Sequence, residues 1–194
     1  MISETRKMYI AGTDEAGRGP LAGPVVAAAA ILTNEQRKIL IDMGLNDSKK
    51  VSPKLRETLF IKMCEMGVLW KAQAATNTKI DDINILQASL WCMKKSVYKL
   101  PQIPSLVLVD GNKLISDFTI NQKCIVKGDS RVPVIAAASI VAKVLRDKIM
   151  LRYDTLYPGY SFAKNKGYPS LEHRNKILEI GYTPIHRLTF SGVK

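Results

Sequence analysis

Cysteine is scarce in this 194-residue chain: Cys64, Cys92 and Cys124 are odd in number and far apart. No two stand at the two-residue separation usual for a zinc site, so reduced, buried thiols are expected. Histidine is scarcer, with only His173 and His186, and both are expected to be surface or structural side chains rather than an acid-base pair. Long apolar runs are missing too. The stretch "PVVAAAAIL" is too short to cross a bilayer, and "MISETRKMYIAG" lacks the basic-then-apolar order of a secretory signal. A soluble, cytoplasmic protein is therefore expected. No internal repeat, low-complexity tract or long linker interrupts the chain. Acidic residues are the minority, 17 against 29 Lys and Arg, and the net charge of +12 points to a polyanionic partner such as nucleic acid.

What is present is enough apolar residue, 46%, for one core that buries roughly 70% of the surface exposed in the unfolded chain. A single domain over residues 1–194 is expected, with about 1–153 as its core and 154–194 as a polar, aromatic and basic C-terminal portion. "KMYIAGTD" alternates as a strand, with Met8, Ile10, Gly12 and Asp14 on one face, and "PVVAAAAIL" reads as a second, buried strand paired with it in a hairpin. "NEQRKILIDMG" reads as a short helix. Ser52 and Pro53 open another, as N-cap and first helical residue. "VLWKAQAAT" fits a third strand. Apolar residues at 83, 86, 90, 93, 97 and 100 then step by three and four, a helix that Asp82 can cap. "SLVLVDG" is a short apolar run ending in Asp110, and "QKCIVKGD" repeats the pattern with Asp129. A helical stripe of Ile135, Ala138, Ala142, Leu145 and Ile149 follows. The order predicts an α/β fold, a mixed five-stranded sheet flanked by helices.

The stretch "TDEAGRGPLAGP", residues 13–24, sets two carboxylates before a glycine loop. Its glycines at 17, 19 and 23 are spaced G-x-G-x-x-x-G, with Pro20 and Pro24 between strands, whereas a dinucleotide loop needs G-x-G-x-x-G opening a helix. No P-loop sequence G-x-x-x-x-G-K-[ST] occurs anywhere. Two readings remain: a solvated acidic turn, or a metal site. Asp110 and Asp129 also end predicted strands, and such ends converge when neighbouring strands run parallel. Clustered carboxylates repel one another and call for cations, and oxygen ligands select Mg2+ or Mn2+. Two such ions about 3.5–4 Å apart can activate a water and stabilise the leaving oxygen of a phosphoryl displacement.

The chain resembles bacterial ribonuclease HII, the type 2 ribonuclease H. Six blocks carry the likeness in order: "GTDEAGRGPLAGPVVAAA", "LNDSKK", "IDDINILQASL", "VLVDGNK", "VKGDSRVPVIAAASIVAKVLRD" and "KNKGY". The resemblance implies that Asp14, Glu15, Asp110 and Asp129 are metal-binding catalytic carboxylates. It implies that Gly17, Arg18 and Gly19 read a ribose 2′-hydroxyl through the backbone, and that Tyr168 packs on the following deoxyribose. Ser48 and Lys49 look like phosphate contacts, with Lys50, Lys54 and Arg56 extending a basic patch. Ser139 and Lys143, four apart on one helical face, could both point at a phosphate, although Ser139 could instead bond back to its own helix. Arg146 and Asp147 could form a local ion pair.

What the resemblance implies is a ribonuclease H-like core with a helical C-terminal portion, and Mg2+- or Mn2+-dependent hydrolysis. The substrates implied are RNA–DNA hybrids and single ribonucleotides in duplex DNA, cut on the 5′ side to leave 3′-hydroxyl and 5′-phosphate ends. Roles in ribonucleotide and primer removal follow. A ribonuclease HIII-like enzyme is the nearest rival, but it usually carries an extra N-terminal domain, and the first motif here starts at residue 13. A silent hybrid-binding protein would need only the basic charge, and a transposase or integrase would need no G-R-G loop. A monomer is expected. "HRLTFSGVK" contains no evident sliding-clamp motif.

Overall fold

A computed structural model describes residues 8–45 and 51–194. Strands β1 (Ile10–Ala16) and β2 (Val25–Ile31) form an antiparallel hairpin, followed by helices α1 (Asn34–Asp42) and α2 (Pro53–Glu65) and strand β3 (Leu69–Ala75). Helices α3 (Asn77–Ile83) and α4 (Ile85–Tyr98) lead to strands β4 (Leu106–Asp110) and β5 (Gln122–Ile125). A 3-10 turn (Gly128–Ser130), the long helix α5 (Pro133–Leu156), and helices α6 (Phe162–Asn165) and α7 (Leu171–Ile180) complete the described chain. The sheet is mixed and five-stranded, as expected, in the order β3-β2-β1-β4-β5. Its β4 and β5 run parallel to β1, whereas β2 and β3 alternate antiparallel.

The run of alanines in β2 has a packing reason. Ala27 and Ala29 face one core with α4, while Ala28 and Ala30 face a second core with α5, so the strand is buried on both sides. Small side chains let both helices come close to the sheet. Gly12 does the same in β1. A Cβ there would lie 2.5 Å from backbone atoms of Val134 and Ile135, at the start of α5. Thus α5 crosses β1 closely, and its Ser139 and Lys143 reach the strand's carboxyl end.

Of the three cysteines only Cys92 is buried, while Cys64 is exposed, and two expectations about the elements need correction. The helix over 82–100 is two helices: Asn84, at φ 63°, ends α3, and its side chain caps α4 by accepting from the Gln87 N–H. Asp82 lies inside α3 instead of capping anything. Asparagine tolerates a positive φ better than most residues, and periodicity through Ile83 and Leu86 hides the break. Second, β5 stops at Ile125, and Asp129 sits on the 3-10 turn rather than at a strand end.

The C-terminal segment builds its own apolar cluster of Tyr160, Phe162, Ile177, Ile185 and Val193, and it takes in Met150 of α5 with Leu21 and Ala22 of the glycine loop. Tyr160 and Phe162 stack with centroids 5.3 Å apart. The cluster therefore grips the back of the loop.

Candidate active site

Parallel pairing of β1 with β4 puts Thr13 opposite Val109, so the next residues, Asp14 and Asp110, stand side by side on neighbouring strands. One cleft of about 480 Å3 is lined by Asp14, Glu15, Asp110, the Gly17–Gly19 loop, Ser139 and Tyr168, with Arg56 and Lys143 on its basic side. Asp129 is buried and does not line this cleft. It is tied to it indirectly, because the Gly128 N–H donates to Asp110 Oδ1 at 2.7 Å and pulls the 3-10 turn against β4. Ser48 and Lys49, with Lys50, lie outside the described residues.

Asp14 is 5% exposed and accepts hydrogen bonds from the Glu15 N–H, at 2.7 Å, and from the Ser139 hydroxyl. Burial, and then the charges of Glu15 and Asp110, hold its carboxyl well above the usual range despite those bonds. Burial also raises Glu15. Arg18, whose Nη1 lies 3.4 Å from Glu15 Oε1, opposes that rise, and Asp110 adds to it. Three acidic groups thus share a poorly solvated wall at a cost that a bound cation would relieve. Among the described residues, no three histidine, cysteine or acidic side chains already close around a single point. An open wall of oxygen donors fits Mg2+ or Mn2+, which keep waters and substrate oxygens as part of their coordination.

The basic side differs from expectation in detail. Lys143 Nζ lies 2.6 Å from Asp147 Oδ1, so Asp147 pairs with Lys143 rather than with Arg146. Asp147 also stands 3.8 Å from Arg56 Nη1. Arg146 and its neighbour in sequence point apart because residues adjacent on a helix do not face one another. Arg146 is fully buried, with Nε on the Pro24 carbonyl and Nη2 on the Lys166 carbonyl. Arg56 also lines a second cleft of about 520 Å3 with Lys148, Lys164 and Lys166, so one basic track leads away from the acidic wall.

The two outer glycines of the loop differ in purpose. Gly17 has φ 98°, and a Cβ there would collide with the Arg146 guanidinium. Gly19 has no such constraint: a Cβ would meet only the Tyr168 ring, at 3.6 Å. That ring is partly exposed and stands over the loop, with the Arg146 guanidinium 5.8 Å from its centroid. Sequence reasoning missed Arg187 and read Arg146 only as a local ion-pair partner of Asp147. Their signal was faint, since buried arginines read locally like any surface arginine.

Helices on both faces of a mixed sheet, with carboxylates at the ends of its parallel central strands, define a nuclease of ribonuclease H type. The sequence matches the family model described as Ribonuclease HII over residues 11–193. It is 48% identical over 182 residues to a ribonuclease HII of Acaryochloris marina, covering 94% of this chain and 92% of that one. The crystal structure of ribonuclease H2 from Pyrococcus horikoshii superposes with a TM-score of 0.78 at 27% identity, over 96% of this chain and 95% of that one. Bst-RNase HIII in complex with Mn2+ shares the fold at a TM-score of 0.75 and 18% identity, over 96% of this chain and 68% of that one. The chain belongs to the ribonuclease HII family, and it is a ribonuclease H, a hydrolase.

Proposed function

We propose that this protein cuts the RNA strand of RNA–DNA hybrids and incises duplex DNA on the 5′ side of single ribonucleotides, leaving 3′-hydroxyl and 5′-phosphate ends. The observation that carries this reading is the meeting of Asp14, Glu15 and Asp110 in one cleft with the Gly17–Gly19 loop and Tyr168. Mg2+ or Mn2+, held by Asp14, Glu15 and Asp110 with Asp129 completing the set, would activate a water and neutralise charge on the leaving oxygen.

The chain's own groups supply selection and placement. Backbone approach at Gly17, Arg18 and Gly19 gives access to a 2′-hydroxyl, the group that separates RNA from DNA at one nucleotide. The Tyr168 ring offers a flat apolar face to the next sugar, where a hydroxyl would be disfavoured. Ser139 orients Asp14 through its hydrogen bond. Arg56, Lys143 and the track of Lys148, Lys164 and Lys166 receive the phosphate backbone; Ser48 and Lys49, outside the described residues, are read from the family motif as further phosphate contacts. The chain acts as one catalytic unit, with residues from about 154 onward holding the substrate. Service in ribonucleotide and primer removal follows from this chemistry.

The test is a duplex with one ribonucleotide, incubated with Mg2+ or Mn2+ and then with chelator. Metal-dependent incision on the 5′ side of the ribonucleotide is expected. Equal cutting of all-DNA duplex, or no cutting, would refute the reading.

A further inference from the structure

Arg187 lies near the carboxyl end, in a stretch without a motif, yet its side chain is fully buried. Its planar guanidinium bonds three backbone carbonyls of the glycine loop: Nη2 reaches Gly17 O at 2.7 Å, Nη1 reaches Arg18 O at 2.9 Å, and Nε reaches Gly23 O at 3.0 Å. The fork geometry of arginine allows this, and lysine's single ammonium cannot copy it.

In a trans peptide the carbonyl and the following N–H point in opposite directions, and the described chain has no cis bond. Tying the Gly17 carbonyl inward therefore turns the Arg18 N–H outward. Tying the Arg18 carbonyl inward turns the Gly19 N–H outward as well. Both residues line the cleft. The third carbonyl, of Gly23, precedes Pro24, which has no N–H to orient.

Arg187 is itself held from several sides. Its N–H donates to Leu21 O at 2.8 Å, and its guanidinium lies over the Phe190 ring at 5.0 Å. The Asp81 carboxylate accepts from the N–H groups of Leu188 and Thr189, at 3.0 and 3.1 Å, and Asn77 donates to the carbonyls of Pro184 and His186. Burial and the nearby Arg146 charge push its pKa down to about 9, which leaves it charged at neutral pH.

Resting on the reading that this loop senses a 2′-hydroxyl, we propose that Arg187 is the positioning residue that aims the Arg18 and Gly19 amide N–H groups into the cleft as ribose-reading donors. Arg187 touches no substrate. It acts through the loop.

The test uses Asp14→Asn protein, which should bind without cutting, and measures affinity for an all-DNA duplex and for the same duplex with one ribonucleotide. Adding Arg187→Lys is expected to lower the preference for the ribonucleotide duplex about tenfold or more, while affinity for all-DNA duplex stays within about twofold, since phosphate contacts carry it. General loosening would weaken both together. A preference that survives Arg187→Lys overturns the proposal. No preference with Arg187 intact overturns the 2′-hydroxyl reading instead, and the proposal with it. Should Arg187→Lys fail to fold, amide hydrogen exchange on the Asp14→Asn protein decides. The Arg18 and Gly19 amides should exchange rapidly when free and become protected with the ribonucleotide duplex only. Protection already present in the free protein would overturn the proposed orientation.

Discussion

Nε2 of His173 and Nε2 of His186 stand 3.0 Å apart in a buried pair, with room for one proton between them. The direction of that bond follows from the other nitrogens. His186 Nδ1 accepts from the Thr183 N–H at 2.8 Å, so His186 carries its proton on Nε2 and donates. His173 Nδ1 then donates to the Tyr168 carbonyl at 2.9 Å. The chain from Thr183 to Tyr168 exists only while both rings are neutral.

Stability should therefore depend on acid in a defined window. Burial, and then the His173 neighbour, lower His186 to about 4, and burial lowers His173 as well. Between about pH 6.5, the unfolded value, and about pH 4 the unfolded chain binds more protons than the folded one, so stability is complete above the window and falls through it as acid is added. The rings of Tyr160 and Phe162 and the charge of Arg174 face the pair, and none of them accepts a second proton there. Melting temperatures measured across this window should drop for the wild type and less steeply for His186→Gln. Parallel curves would show that the pair does not titrate on unfolding.

Asp14→Asn should separate stability from activity. The buried Asp14 carboxylate beside Glu15 and Asp110 is raised, so its ionised form weakens the fold at neutral pH. The variant should melt higher than the wild type in chelator, while incision falls by on the order of 10³-fold or more. Added Mg2+ should raise the wild-type melting temperature more than the variant's. A variant that melts lower in chelator would contradict the repulsion argument.

Gly17→Ala and Gly19→Ala should behave differently although the glycines are two apart. Alanine at 17 must adopt φ 98° and displace Arg146, costing about 1–3 kcal/mol of stability in a urea titration. Alanine at 19 meets only an ordinary contact with Tyr168, so stability should change by about 0.5 kcal/mol or less. Its methyl group would stand between backbone and sugar, and incision at a single ribonucleotide should fall by about 10²-fold. Normal incision by a folded Gly19→Ala protein would argue against close backbone approach.

Gly12→Ala tests how α5 is seated. Its Cβ would press on the backbone at Val134 and Ile135, 2.5 Å away, and backbone cannot rotate aside as a side chain can. A loss of about 1–3 kcal/mol is expected by denaturant unfolding. Activity should fall too, since Ser139 on α5 would shift from Asp14.

Much of this was legible in the linear chain because it rests on local pattern. Alternation, short apolar runs, cap residues and three-to-four apolar spacing located the five strands and the longer helices, and the order of motif blocks pointed to the family. The break at Asn84 was not legible, because the apolar stripe continues across it while only a backbone angle changes. The 3-10 placement of Asp129 was hidden for a similar reason: Gly-Asp reads alike at a strand end and in a turn.

The sequence by itself determined the strand that carries Asp14, the strand that ends in Asp110 and the glycines between β1 and β2, since periodicity and backbone allowance are properties of neighbouring residues. Only the tertiary structure decided that Asp14 and Asp110 adjoin through parallel pairing, that Ser139 bonds Asp14, and that Arg187 reaches back more than 160 positions to the loop. Those relations follow from how strands pair and which charges are buried. Burial turns an arginine from a surface cation into a clamp on carbonyls, and no short stretch of sequence records it.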